Sequence, residues 1–62
     1  MKLTEDQLTR VRDAATRKGL HPMNMGPSVD GFILWNALRG EELQPWETKH
    51  LAEMLEIHLE SD

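Results

Sequence analysis

SVDGFILWNALRG, at residues 28–40, is the densest apolar run of this chain, and it decides how the rest can fold. The pattern predicts a helix over residues 29–39, with Ser28 as its N-cap and Gly40 at the left-handed position that ends it. At 100° per residue, apolar side chains fall on three sides of this helix: Val29, Ile33 and Ala37; Leu34 and Leu38; Phe32 and Trp35. We therefore expect a central helix that neighbouring elements cover on most sides.

Length and cysteine content limit the kinds of domain that this chain can form. Its 62 residues predict a single domain, residues 1–62, and a chain this short buries only about 60% of its unfolded surface. The chain has no cysteine, so disulfides and thiolate zinc sites cannot supply the missing stability. Association with another chain is the remaining source of stability, and we expect a helical homodimer.

The charge is acidic overall and unevenly distributed. The net charge is −4; residues 1–20 carry five basic against three acidic side chains, and the remainder carries two basic against eight acidic ones. An acidic chain is a poor ligand for a phosphate backbone. No run approaches the roughly 20 apolar residues of a membrane span, and the acidic start differs from a secretory signal. We therefore expect a cytoplasmic protein that contacts neither membrane nor nucleic acid.

Two further helices flank the central one. Thr4 and Gln7 have the spacing of a capping box, and Gly19 stands where a left-handed residue would end the helix that they begin. Pro45 has the position of a first helical residue and begins a third helix. The predicted fold is all-α, a compact three-helix domain with helices at about residues 5–18, 29–39 and 45–60.

The third helix carries more apolar surface than one packing contact can cover. Leucine and methionine side chains at helical spacing define its core side: Leu51, Met54, Leu55 and Leu59. Trp46 and Ile57, flanked by His50, lie outside that side and have no intramolecular contact that the pattern predicts. Because tryptophan is enriched at interface hot spots, we expect these three residues at a partner or dimer interface.

Two methionines and two glutamates are candidates for the same interface. Met23 and Met25 lie in the connector between the first two helices, where their flexible side chains would suit an adaptable contact surface. Glu41 and Glu42 would form a charged rim. The alternative is that the methionine loop plugs the open end of the core by folding over Trp46.

The sequence shows no arrangement of side chains that indicates catalysis. Cysteine and tyrosine are absent, and Ser28 and Ser61 are explained as a helix cap and a tail residue. His50 and His58 lie two helical turns apart, about 12 Å along the axis, which is too far to share a metal ion within one chain. We expect no enzyme, no cofactor and no metal site, with metal-dependent assembly through these histidines as an alternative.

Size and charge together favour a protein that works by contact with another protein. We expect a non-enzymatic interaction module, a small acidic regulator or inhibitor that binds a larger protein, by analogy with antitoxin-like proteins and phage-encoded inhibitors. The alternative is a dimeric nucleic-acid-associated regulator whose first helix presents Arg10, Arg12 and Arg17.

Overall fold

Three helices follow one another in the computed structural model, which describes residues 1–59. They are α1 (Glu5–Lys18), α2 (Val29–Leu38) and α3 (Pro45–Leu55), and a short 3₁₀ turn at Pro22–Asn24 joins the first two. No strand occurs among these residues. The radius of gyration is 10.4 Å, close to the roughly 10.6 Å of a compact chain of this length. The predicted all-α, compact three-helix domain is confirmed, while the homodimer stays a prediction.

The boundaries of α1 lie where its capping residues predict them. The backbone N–H of Thr4 donates to Gln7 Oε1 at 2.8 Å, and the Gln7 N–H donates to Thr4 Oγ1 at 3.2 Å. Gly19 adopts a left-handed conformation with φ 70°, and the Leu20 N–H bonds back to the Ala15 carbonyl at 2.9 Å. Both ends of the helix therefore have their exposed backbone groups satisfied by local contacts.

The core lies between the three helices, and α2 occupies its centre. This helix contacts α1, α3 and the 3₁₀ turn. Buried apolar side chains come from every helix and from segments outside them: Leu3, Val11, Ala14, Ala15, Ile33, Leu34, Ala37, Leu43, Leu51, Leu55 and Leu59. None of the three helices within residues 1–59 combines the length and the apolar character that a membrane crossing requires.

One side of α2 has no covering element in the described part of the chain. Ile33, Leu34 and Ala37 are fully buried, but Phe32 and Trp35 are exposed. Neighbours therefore cover this helix on most sides, as expected, and the side that carries its aromatic residues is the one left uncovered. The physical reason is that two helices and one short turn contact only part of the circumference of a third helix.

The third helix is shorter than predicted. It ends at Leu55 rather than near residue 60, because Glu56 takes a left-handed conformation with φ 56° and ψ 44°. The N–H of Ile57 then bonds back to the Ala52 carbonyl at 3.0 Å, a pattern that glycine usually makes at helix ends. Residue 60, where the helix was predicted to end, lies outside the described residues.

Side chains of α1 hold the segment that follows this helix end. Gln7 Nε2 donates to the Leu59 carbonyl at 2.5 Å, and the Arg10 guanidinium donates to the His58 carbonyl at 2.6 Å. These bonds replace those that a continued helix would supply to backbone carbonyls. The Leu59 side chain is buried as predicted, but it reaches the core after the chain turns rather than along a helix.

Two substitutions at Glu56 test this helix end. The Glu56 carboxylate accepts a hydrogen bond from Lys18, and this bond and the lysine charge hold the pKa of Glu56 below its usual value. Glu56→Gly and Glu56→Ala both remove this carboxylate, so the two variants lose the same contact. The variants therefore differ in backbone preference, since glycine enters the left-handed region at little cost and alanine favours a helix. We expect the glycine variant to melt about 4–8 °C higher by circular dichroism. A higher melting temperature for the alanine variant would contradict a helix end at Leu55.

Candidate interaction surface

The uncovered side of α2 presents three large apolar side chains to solvent. Val29, Phe32 and Trp35 are 59%, 61% and 47% exposed. Phe32 and Trp35 lie opposite the buried residues of the helix, and Val29, one turn before the buried Ile33, lies at the border of that exposed side. We call these three residues the α2 face. A face of this kind on a small domain marks a contact surface more often than an isolated exposed leucine does.

A loop packs closely beside the α2 face and forms a groove with it. Ser28 caps the helix by accepting the Gly31 N–H at 3.1 Å. A Cβ atom on Gly31 would lie only 3.2 Å from the Gly26 carbonyl oxygen and 3.3 Å from Met25 Cβ, so glycine permits the close approach of the loop. The resulting groove has a volume of about 280 Å³ and is lined by Pro22, Gly26, Pro27, Ser28, Gly31, Phe32 and Trp35.

Arg39 lies at the carboxyl end of the α2 face. Its guanidinium carbon is 5.7 Å from the centre of the Trp35 ring, a distance at which the cation is attracted to the aromatic face. One guanidinium nitrogen lies 3.3 Å from the Glu41 carboxylate. The stack holds a half-exposed tryptophan and an arginine side by side, and these are two of the residue types most enriched at interface hot spots.

The predicted contact residues Trp46, Met23 and Met25 do not share one environment. Trp46 is 59% exposed on α3, and Met23 is 82% exposed in the loop. Met25 instead packs against the core. The alternative in which the loop folds over Trp46 is not seen, and one methionine of the pair closes the core while the other extends into solvent.

Ile57 has an intramolecular contact that the sequence pattern did not predict. It is half-buried and packs against the core just beyond the helix end. The expectation that Ile57 has no partner within the chain is therefore wrong, and the reason is the turn at Glu56, which moves it off the helical side on which it was placed. Part of the Ile57 side chain remains exposed, and that this part contacts a partner stays a prediction.

The charged residues predicted at the interface are paired within the chain. His50 Nε2 lies 2.5 Å from Asp30 Oδ1, a contact that joins α3 to the start of α2. Glu41 pairs with Arg39, and Glu42 pairs with the terminal amino group, whose hydrogen bond and charge lower the Glu42 pKa. Of the three predicted residues, Glu41 is the one linked to the α2 face, through Arg39.

The three arginines of the alternative nucleic-acid surface are divided between two places. Arg10 and Arg17 line a depression of about 430 Å³ that also includes Asp13. Arg12 lines a different depression together with Glu5. A carboxylate accompanies the arginines in both places, which weakens the positive potential that a phosphate backbone would meet.

Each described histidine makes a contact within the chain. His21 Nδ1 accepts the Met23 N–H at 3.2 Å and caps the 3₁₀ turn. His50 pairs with Asp30, and the carbonyl of His58 accepts a bond from Arg10. Within residues 1–59, no group of three or more histidine, cysteine, aspartate or glutamate side chains comes together as a metal site would require.

The α2 face is the functional candidate that sequence reasoning missed. The helical pattern places Phe32 and Trp35 on one side of an apolar helix, but neither residue is among those that the sequence predicts at an interface. The available signal was the small number of helices, because in a three-helix chain only two other helices can pack around the central one.

Comparison of the chain with family models, curated protein sequences and solved structures gave no match.

Proposed function

We propose that this protein is a non-enzymatic interaction module, a small acidic regulator or inhibitor that binds a larger protein through the α2 face. The observation that carries the proposal is the exposure of Phe32 and Trp35 on a helix whose other side forms the centre of the core. Aromatic side chains and arginine supply a large share of binding energy at protein interfaces. Arg39, stacked on Trp35, completes such a set.

The stability of so small a domain supports this proposal. Burial of a large apolar side chain stabilises a fold by about 1.5–3 kcal/mol, and a short chain has little stability to spare. Phe32 and Trp35 are 61% and 47% exposed, so they contribute only about four-tenths and about half of what full burial would give. A partner that covers the rings would recover this free energy as binding energy.

We further propose that the protein acts in the cytoplasm. Because the chain has no cysteine, it has no disulfide that the reducing conditions of that compartment could break.

Nucleic-acid binding through α1 is the second candidate function. Its support is the shared depression of Arg10 and Arg17, and strong salt dependence of binding to DNA or RNA would reveal it.

Photo-cross-linking from two matched positions tests the proposal. A benzoylphenylalanine side chain replaces Phe32 in one variant and Trp46 in the other, two aromatic positions of nearly equal exposure, 61% and 59%. Because chance collisions are equally frequent at both, we expect irradiation in a lysate of the source cell to give an adduct with a larger protein at position 32 only. Equal adducts at both positions, or adducts at position 46 alone, would contradict the α2 face as the contact surface. An adduct of twice the mass of the chain would indicate a second copy instead.

A further inference from the structure

The 3₁₀ turn at Pro22–Asn24 is capped by an imidazole ring. His21 Nδ1 accepts the Met23 N–H at 3.2 Å, and the His21 N–H donates to Asn24 Oδ1 at 3.1 Å. Because Pro22 has no N–H, Met23 supplies the first backbone donor of the turn. A backbone N–H can only donate, so this bond requires an Nδ1 atom that carries no proton.

The same turn forms part of the groove beside the α2 face. Pro22 lines the groove together with Phe32 and Trp35, and the turn contacts α2. Two backbone bonds complete the turn, and one of them, from the Met25 N–H to the Pro22 carbonyl, is long at 3.4 Å. The position of Pro22 in the groove therefore depends on the bond to the imidazole.

Protonation of His21 removes this bond. Histidine is the side chain that ordinarily changes its charge between about pH 5 and pH 8. A protonated Nδ1 donates a hydrogen bond and cannot accept one, so it would direct its own N–H at the N–H of Met23. The attraction that caps the turn then becomes a repulsion.

The charged groups around the turn do not compensate for this loss. The segment between α1 and α2 has no other titratable side chain. The last turn of α1 carries Arg17 and Lys18, whose charges disfavour a further cation. The only charged residue of α2 is Asp30, which pairs with His50. No ion pair to the His21 ring occurs within residues 1–59.

The contact between His50 and Asp30 responds to acid in the opposite sense. His50 Nε2 lies 2.5 Å from Asp30 Oδ1, and protonation gives the imidazole a charge that complements the carboxylate. This contact joins α3 to the start of α2, so the two helices stay together under the conditions that release the turn.

We infer that His21 is a pH-sensitive switch of the groove. An uncharged imidazole holds the Pro22 side of the groove in place above about pH 7, and a charged imidazole releases it near pH 5.5. The release uncovers more of Trp35, while the helical core is kept. The inference rests on the proposed function for the partner that the groove serves, and the switch itself is a property of the isolated protein.

A pH titration of the isolated protein tests the switch. The Trp46→Phe variant leaves Trp35 as its single tryptophan. Between pH 8 and pH 5.5, above the range of ordinary carboxyl groups, we expect the Trp35 emission to shift to longer wavelength with a midpoint near about pH 6.5. In NMR spectra, the Met23 amide should exchange about fivefold faster in acid, relative to an unstructured peptide at the same pH, because a typical cap is lost.

Two variants in the same background separate His21 from the other titrating groups. His21→Asn keeps the cap, because an asparagine side-chain oxygen accepts the N–H two residues later and does not titrate. We expect this variant to fold as its parent does, by circular dichroism, and to lose both pH responses. The control, His50→Gln, should retain both. Responses that are absent from the parent, persist in His21→Asn or are lost in His50→Gln would overturn the inference.

The outcome is independent of cross-linking at position 32. An adduct at that position without a pH response leaves the proposed function standing and overturns the switch. A pH response without an adduct supports the switch and removes the α2 face as the contact surface.

Discussion

The Leu34→Ala variant is expected to lose about 2–5 kcal/mol of folding free energy, enough to unfold much of the protein at room temperature. Leu34 is fully buried at the centre of the core, where α2 contacts both other helices. Removing its side chain leaves a cavity that the surrounding residues fill only in part, so the lost burial is not recovered.

Urea unfolding followed by circular dichroism measures this loss. Val29→Ala is the matched control, because it shortens an apolar side chain on the exposed side of the same helix. We expect the control to change stability by no more than about 0.5 kcal/mol. A loss below about 1 kcal/mol for Leu34→Ala, or an equal loss for the two variants, would show that the core lies elsewhere.

Helix starts and the first helix end could be predicted because local side chains determine them. Thr4 and Gln7 satisfy each other's backbone groups within one turn, and Gly19 adopts its left-handed conformation without help from distant residues. Such signals depend on neighbours in sequence, so they can be recognised in the sequence alone.

The end of α3 could not be predicted in this way, because distant residues stabilise it. Glu56 has no glycine-like freedom, yet it adopts the left-handed conformation, and the segment that follows is bonded to Gln7 and Arg10 on α1. The continuous apolar pattern through Leu59 favoured a longer helix. The same error placed Ile57 on an exposed side, whereas it packs against the core.

The candidate site shows the same division between local and distant causes. The apolar character of Phe32 and Trp35 was evident from sequence, and their position opposite the buried residues of α2 follows from helical spacing. Which of the three sides remains uncovered depends on how α1, α3 and the loop pack around α2. Periodicity identifies the sides of a helix but does not say which neighbour reaches each of them.

Replacement of both aromatic residues of the α2 face measures the central claim most directly. In the Phe32→Ala, Trp35→Ala variant, the larger protein that the wild type captures from a lysate should bind at least 100-fold more weakly, equivalent to about 2.7 kcal/mol. Folding should be retained, since neither side chain belongs to the buried core and alanine favours a helix. The matched control is Trp46→Ala, which removes an equally exposed aromatic side chain from α3.

Binding of the purified partner is measured by calorimetry for the wild type and both variants, with circular dichroism melts of each. The account predicts a helical double variant with at least 100-fold weaker binding and a control that binds within about threefold of the wild type. A double variant that binds as the wild type does, while Trp46→Ala loses binding, would contradict it and place the contact surface on α3.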